Sequence, residues 1–282
     1  PLQGATAPSV AFNKLQLRAR WKTIDGGWRL DAPRLRIAAD SNTQSLDGLL
    51  LAGGKHYVVQ GKQLDAGPML QVLALSDRLE PSLRNWLHRS KPSLKFADIS
   101  VLGTANGPVR ASGELLDASF APVGGSPGVT GLRGHFEGDA QAFSLGLKPD
   151  HVVRFDWPTG FGVLHELQLS GDLVGWREGA GWQIGTPALR VQGQNYAADV
   201  RGGLWFQGDG TRPWISLAAK IDDVPMTAAK QFWVRSSMSD AAIGWLDAAL
   251  VDGTLRGGTG LAVGDLDDWP FTGNNGRFEA GG

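Results

Sequence analysis

The sequence predicts an all-β, mainly antiparallel fold: an extended curled sheet, or β-taco trough, built from repeated strand meanders with two short amphipathic helices. Three observations predict it: glycine spread evenly along the chain, recurrent two-residue alternation of apolar and polar side chains, and an internal repeat. The 282 residues include 40 Gly and 15 Pro, and glycine at that level without clustering implies many tight turns and therefore many short strands. The apolar fraction of 42% is ample for a buried core.

Alternation is plainest in Lys14-Leu15-Gln16-Leu17-Arg18-Ala19-Arg20-Trp21, where the apolar residues fall on one face and the charged residues on the other. The same period recurs at Trp28/Leu30, Leu35/Ile37, Phe143/Leu145/Leu147, Val153/Phe155/Trp157, Leu167/Leu169, Trp182/Ile184, Leu189/Val191 and Ile215/Leu217/Ala219/Ile221. Turn signals separate these stretches, among them Asp25-Gly26-Gly27, Gly53-Gly54, Gly179-Ala180-Gly181, Gly208-Asp209-Gly210 and Asn274-Asn275-Gly276. Two stretches have helical spacing instead. One is Glu80 to His88, and the other is Ser237 to Leu250, where Ile243, Leu246 and Leu250 share a face beside Trp245 and Ser237 or Ser239 caps the start.

The repeat is read directly. Gly27-Trp28-Arg29-Leu30-Asp31-Ala32-Pro33-Arg34-Leu35-Arg36-Ile37 aligns without gaps to Gly181-Trp182-Gln183-Ile184-Gly185-Thr186-Pro187-Ala188-Leu189-Arg190-Val191. Leu15-Gln16-Leu17 precedes the first as Leu167-Gln168-Leu169 precedes the second. Trp86-Leu87 answers to Trp245-Leu246, and Gly134-His135-Phe136-Glu137-Gly138 to Gly276-Arg277-Phe278-Glu279-Ala280. A unit of about 150 residues therefore occurs about twice. Residues 1–150 are expected to form a first strand–helix–strand repeat, and residues 151–282 a second one, incomplete at its C-terminal end. A start at Pro1 and an end at Gly281-Gly282 suit a fragment of a longer protein. Repeated meanders without closing signals favour an extended sheet whose apolar faces look at one another across a groove.

Composition also excludes functions. With 27 basic and 28 acidic residues and neither sign in a long block, no basic face for nucleic acid is indicated. The absence of cysteine removes disulfides, thiolate catalysis and thiolate metal sites. His56, His88, His135, His151 and His165 show no metal-ligand spacing and read as ordinary surface or turn histidines. The carboxylate pairs Asp222-Asp223 and Asp267-Asp268 lie in turn-like stretches, where capping is the simpler role. There is no GxSxG elbow, P-loop or dinucleotide fingerprint, so no catalytic residue is nominated, no cofactor is called for, and the chain reads as a non-enzyme. Trp21, Trp28, Trp157, Trp182 and Trp214 are placed on or near the apolar sides of strands, where core or groove lining is favoured over a carbohydrate platform. No apolar run is long enough for a transmembrane helix.

Met238-Ser239 through Trp245-Leu246-Asp247-Ala248-Ala249-Leu250, followed by Gly253, resembles a stretch characteristic of the YhdP-type members of the AsmA-like family, which has TamB-like relatives. Gly264-Asp265-Leu266-Asp267-Asp268-Trp269-Pro270-Phe271, Gly276-Arg277-Phe278-Glu279-Ala280 and Pro127-Gly128-Val129-Thr130-Gly131-Leu132-Arg133-Gly134 are similar to further elements of that family. The resemblance implies a periplasmic protein of the cell envelope, anchored in the inner membrane through a segment outside this stretch. It also implies movement of phospholipid between inner and outer membranes along a hydrophobic groove, with envelope proteins as partners at its ends. The expected lining is Leu15, Leu17, Trp28, Leu30, Phe143, Leu145, Val153, Phe155, Leu167, Leu169, Trp182, Ile184, Ile215 and Leu217, in contact with acyl chains. Alternation alone is equally compatible with an envelope scaffold that carries no lipid, and a carbohydrate-binding β domain is the third reading.

Overall fold

The structure, a computed structural model, describes residues 14–39, 42–76, 79, 81–271, 273 and 275–282. Glu80 and Asn274, named above in a helix and a turn, lie outside the described residues, as does the side chain of Ile37. Fifteen strands among the described residues form a mainly antiparallel sheet arrangement that does not close into a barrel. The chain divides into two compact units, residues 1–123 with 128–140, and residues 124–127 with 141–282.

In the first unit the strands pair in chain order: β1 Lys14–Ile24, β2 Gly27–Ala39, β3 Asn42–Gly53, β4 Tyr57–Asp65, β5 Ser93–Thr104, β6 Gly107–Phe120 and β7 Gly128–Gly138. Between β4 and β5 come the helices α1 Gly67–Leu73 and α2 Pro81–Ser90. Helix α1 was not among the two helices expected; Pro68 occupies its first turn, where the missing N–H costs nothing. Trp86 of α2 meets Phe120 of β6 edge-on, with ring centroids 5.5 Å apart, and Leu87 is buried beneath the helix.

In the second unit the strands are β8 Ala142–Leu147, β9 Val153–Asp156, β10 Leu164–Glu178, β11 Gly181–Gln192, β12 Ala197–Phe206, β13 Trp214–Ile221, β14 Val224–Pro225, β15 Thr254–Leu255, β16 Thr259–Asp265 and β17 Gly276–Gly281. The ladder runs β8-β10-β11-β12-β13-β16-β17 with β9 against β10, while β14 and β15 pair separately. A 3-10 turn, Met226–Phe232, and helix α3 Asp240–Ala249 join β14 to β15. Ser239 caps α3 by accepting the Ala242 N–H at 3.2 Å, and Ile243 is buried, whereas Trp245 on the neighbouring face is open to water.

The aligned segments Gly27–Ile37 and Gly181–Val191 occupy β2 and β11, each the second strand of a hairpin, and each pairing carries a register shift in the same place. In β1–β2 the shift falls between Arg18 and Arg20, opposite the stretch containing Pro33; in β10–β11 it falls between Gly171 and Val174, opposite the stretch containing Pro187. Proline lacks the N–H that a ladder needs, so both strands bulge at the aligned proline, and bulges bend and twist a sheet locally. Gly202 lies beside the second bulge at φ +108°, with the Ser216 carbonyl where a Cβ would stand. Downstream the motifs take different places: Gly134–Gly138 lies in β7, the third strand after α2, and Gly276–Ala280 in β17, two ladder strands after α3.

Candidate functional site: one apolar face in each unit

Residues directly opposite one another in an antiparallel ladder share a face, and neighbours along a strand do not. In the second unit Phe143, Gly175, Ile184, Leu204, Ile215 and Gly264 stand opposite one another across six strands. Trp182 faces Phe206, Leu145 faces Leu173, Leu217 faces Ala262, and Leu169 faces Val191, which in turn faces Ala198. Val153 and Phe155 pair with Leu167 and His165. All ten residues nominated in this unit therefore lie on one face. The opposite face carries Arg154, Glu166, Gln168, Arg190, Asp199 and Lys220.

The first unit repeats the arrangement. Leu17 faces Leu35, which faces Leu46; Trp21 faces Leu30, which faces Leu51; and Thr23 faces Trp28. Leu15, Leu17, Trp28 and Leu30 thus share a face, because the extra residue of the bulge falls on β2 and leaves the alternation of β1 intact. The Trp21 and Trp28 rings stack at 4.8 Å, and the Trp28 indole lies across Gly53, where a Cβ would meet it at 2.6 Å. The reverse face carries Arg18, Arg20, Lys22, Arg29, Arg34 and Arg36, with Asp31 holding Arg29 and Asp47 holding Arg34.

Neither face is uniformly open. Leu145 and Val153 are buried, whereas Ile184 and Phe143 keep 37% and 36% of their surface, and Leu15, Leu17 and Trp21 are exposed. In the second unit burial concentrates at one end, where Phe232 of the 3-10 turn, Phe161 and Tyr196 gather around His165. His165 was expected as a surface or turn histidine, but it is 4% exposed, because its strand neighbour Glu166 takes the solvent side and His165 the apolar one. Its Nδ1 lies 2.7 Å from the Tyr196 hydroxyl. Burial lowers the His165 pKa, an effect that the Gln231 backbone only partly offsets, and burial pushes the Tyr196 phenol up to about 12.

Two placements differ from expectation. Trp214 lies on the polar face, because Ile215 beside it takes the apolar one; it stands between Trp205 and Asp265. Trp157 lies just past the end of β9, edge-on to Phe161, and donates its indole N–H to the Gly125 carbonyl at 2.7 Å. The carboxylate pairs do structural work. Asp222 holds the Arg190 guanidinium, Asp267 accepts the Arg212 backbone N–H at 3.0 Å, and Asp268 accepts the Asn275 side-chain amide. Among the described residues no group of three or more His, Cys, Asp or Glu is placed to hold a metal ion. Among them, too, no helix is long and apolar enough to cross a membrane.

A mainly antiparallel sheet arrangement with an apolar face in each unit, interrupted by short helices, defines a β-rich protein with surfaces for apolar contact. The chain belongs to the YhdP family: the family described as YhdP protein matches residues 2–282. No curated protein matches it. No solved structure matches it either.

Proposed function

We propose that the chain is a non-enzymatic segment of a periplasm-spanning bridge that carries phospholipid along a hydrophobic groove between the inner and outer membranes. In this reading the two strand–helix–strand stretches are repeats of that groove, and a segment outside them supplies the inner-membrane anchor. The observation that carries the reading is the one-sidedness of the ladders: all fourteen nominated residues fall on the apolar face of their unit. Membership of the YhdP family supports it.

The physics supplies the need for such a face. Exposing acyl chain to water costs about 0.8 kcal/mol per methylene, so a lipid crossing an aqueous gap unaided meets a barrier well above ~10 kcal/mol. A face made mostly of Leu, Ile, Val, Phe and Trp, with Arg177 opposite Trp182 at the end of its hairpin, lowers that barrier along most of its length. The test is a photo-crosslinking amino acid placed in cells at Ile184 or Leu169 and, as a control, at Gln168 on the opposite face. Phospholipid captured at the first two and not at the third is expected. Capture at Gln168 alone overturns the reading.

A further inference from the structure

The polar face of the second unit carries one row rich in tryptophan. Trp176, Gln183, Trp205, Trp214 and Asp265 stand opposite one another on five successive ladder strands, on the face away from Ile184 and Phe206. Trp176 and Trp214 remain 42% and 37% exposed. Neither the core nor the apolar face accounts for them. Large aromatic side chains held half in water on a mostly polar face mark a contact surface.

The row has a definite chemistry. Ladder strands lie ~4.8 Å apart, so Trp176 and Trp214, three strands apart, are separated by about 14 Å, a length suited to a chain of rings rather than to one small molecule. Between them Gln183 offers an amide that both donates and accepts. At one end Glu178 Oε2 accepts the Trp176 indole N–H at 3.2 Å, leaving Oε1 to accept from a ligand. At the other end Asp265 Oδ1 caps the 3-10 turn at Asp267, leaving Oδ2. The row holds carboxylates and an amide but no basic side chain, a charge pattern that disfavours phosphate-bearing surfaces and favours a ligand rich in hydroxyl donors.

We propose that this row binds a neutral polysaccharide, with the C–H faces of successive pyranose rings on the Trp176 and Trp214 indoles and its hydroxyls donating to Glu178, Gln183 and Asp265. The site is independent of the lipid reading, since it uses the other face of the sheet.

The test titrates the whole 282-residue chain with chitohexaose and with cellohexaose, following tryptophan fluorescence, and repeats the measurement with phosphatidylglycerol vesicles. A saturable change with at least one oligosaccharide is expected, and Trp176→Ala or Trp214→Ala should weaken it by about tenfold or more. Trp214→Phe, which preserves a flat ring, should retain part of the affinity and covers the case in which Trp214→Ala fails to fold. Trp182→Ala, on the apolar face, should change the affinity by less than about twofold. No saturable response to either sugar overturns the proposal. So does equal loss in Trp182→Ala, and so does a response to vesicles alone that depends on Trp176 and Trp214.

Discussion

Phe232 lies stacked on His165, with ring centroids 5.2 Å apart and planes inclined by 25°. The contact fastens the 3-10 turn Met226–Phe232 to β10, and Tyr196 closes it from the side, edge-on to Phe232 at 4.7 Å. A neutral imidazole fits among these rings. A charged one has exchanged water for aromatic edges and one phenol, and burial accordingly lowers its pKa.

Stability should therefore depend on pH in a defined window. The unfolded histidine titrates near ~6.5, and the folded one lower, so as pH falls below about 6.5 the unfolded chain takes up the proton first and stability declines. His135 acts in the opposite sense, its pKa raised by Glu114 and Glu137, but it is solvent-exposed and its contribution is small. Asp31 and Asp222 are held below the usual carboxylate range by Arg29 and Arg190, so their contributions persist down to about pH 4. Thermal melts at pH 7.5 and 5.5 should show a lower Tm at the acid value, and His165→Phe should remove most of that difference. A His165→Phe variant with the wild-type pH slope would assign the slope elsewhere.

The bulge beside Pro187 makes a backbone prediction. Gly171 sits at φ +123°, and a Cβ there would lie 2.2 Å from the Ala188 carbonyl oxygen, so Gly171→Ala should destabilise by about 2 kcal/mol or more. Gly244, inside α3 with open space around it, is the counterpart: Gly244→Ala should stabilise by about 0.5–1 kcal/mol. Urea melts of the two variants should move in opposite directions.

Burial separates the apolar-face residues of the two units into two classes. Leu145, buried opposite Leu173, should cost about 2–4 kcal/mol on replacement by alanine, because a cavity remains behind. Leu17, which keeps 53% of its surface, should cost about 0.5 kcal/mol or less. Chemical denaturation of both variants checks this, and similar losses at the two positions would mean that exposure does not set the cost.

Much of this was legible in the sequence because strands alternate with a period of two. Once Leu15/Leu17, Trp182/Ile184 and Ile215/Leu217 are assigned to strands, each pair must share a face, and the register of the hairpins then joins Trp182/Ile184 to Ile215/Leu217 within the second unit and Leu15/Leu17 to Trp28/Leu30 within the first. The same rule puts Trp214 on the other face, since it adjoins Ile215 and position along the strand decides orientation. What stays hidden is tertiary. Nothing near His165 in sequence indicates that Phe232, some seventy residues on, will close over it. Pro33 and Pro187 align in the repeat, yet only the ladder shows that each marks a bulge.

A charge placed on the open part of the apolar face distinguishes a conduit from a scaffold. Ile184 and Phe143 reach water at their present positions, so Ile184→Glu or Phe143→Glu can keep its carboxylate hydrated, and the melting temperature should fall by only a few degrees. Val153 is 3% exposed against Leu167, and Val153→Glu, which must bury an unpaired charge, should unfold the second unit. If acyl chains travel over the face, Ile184→Glu adds a polar barrier to that path, and lipid capture by a photo-crosslinker at Leu169 should drop severalfold while the protein remains folded. A scaffold that carries no lipid has nothing to capture at Leu169 and would tolerate the same charge. Folded Ile184→Glu protein with undiminished envelope function would count against conduction along this face.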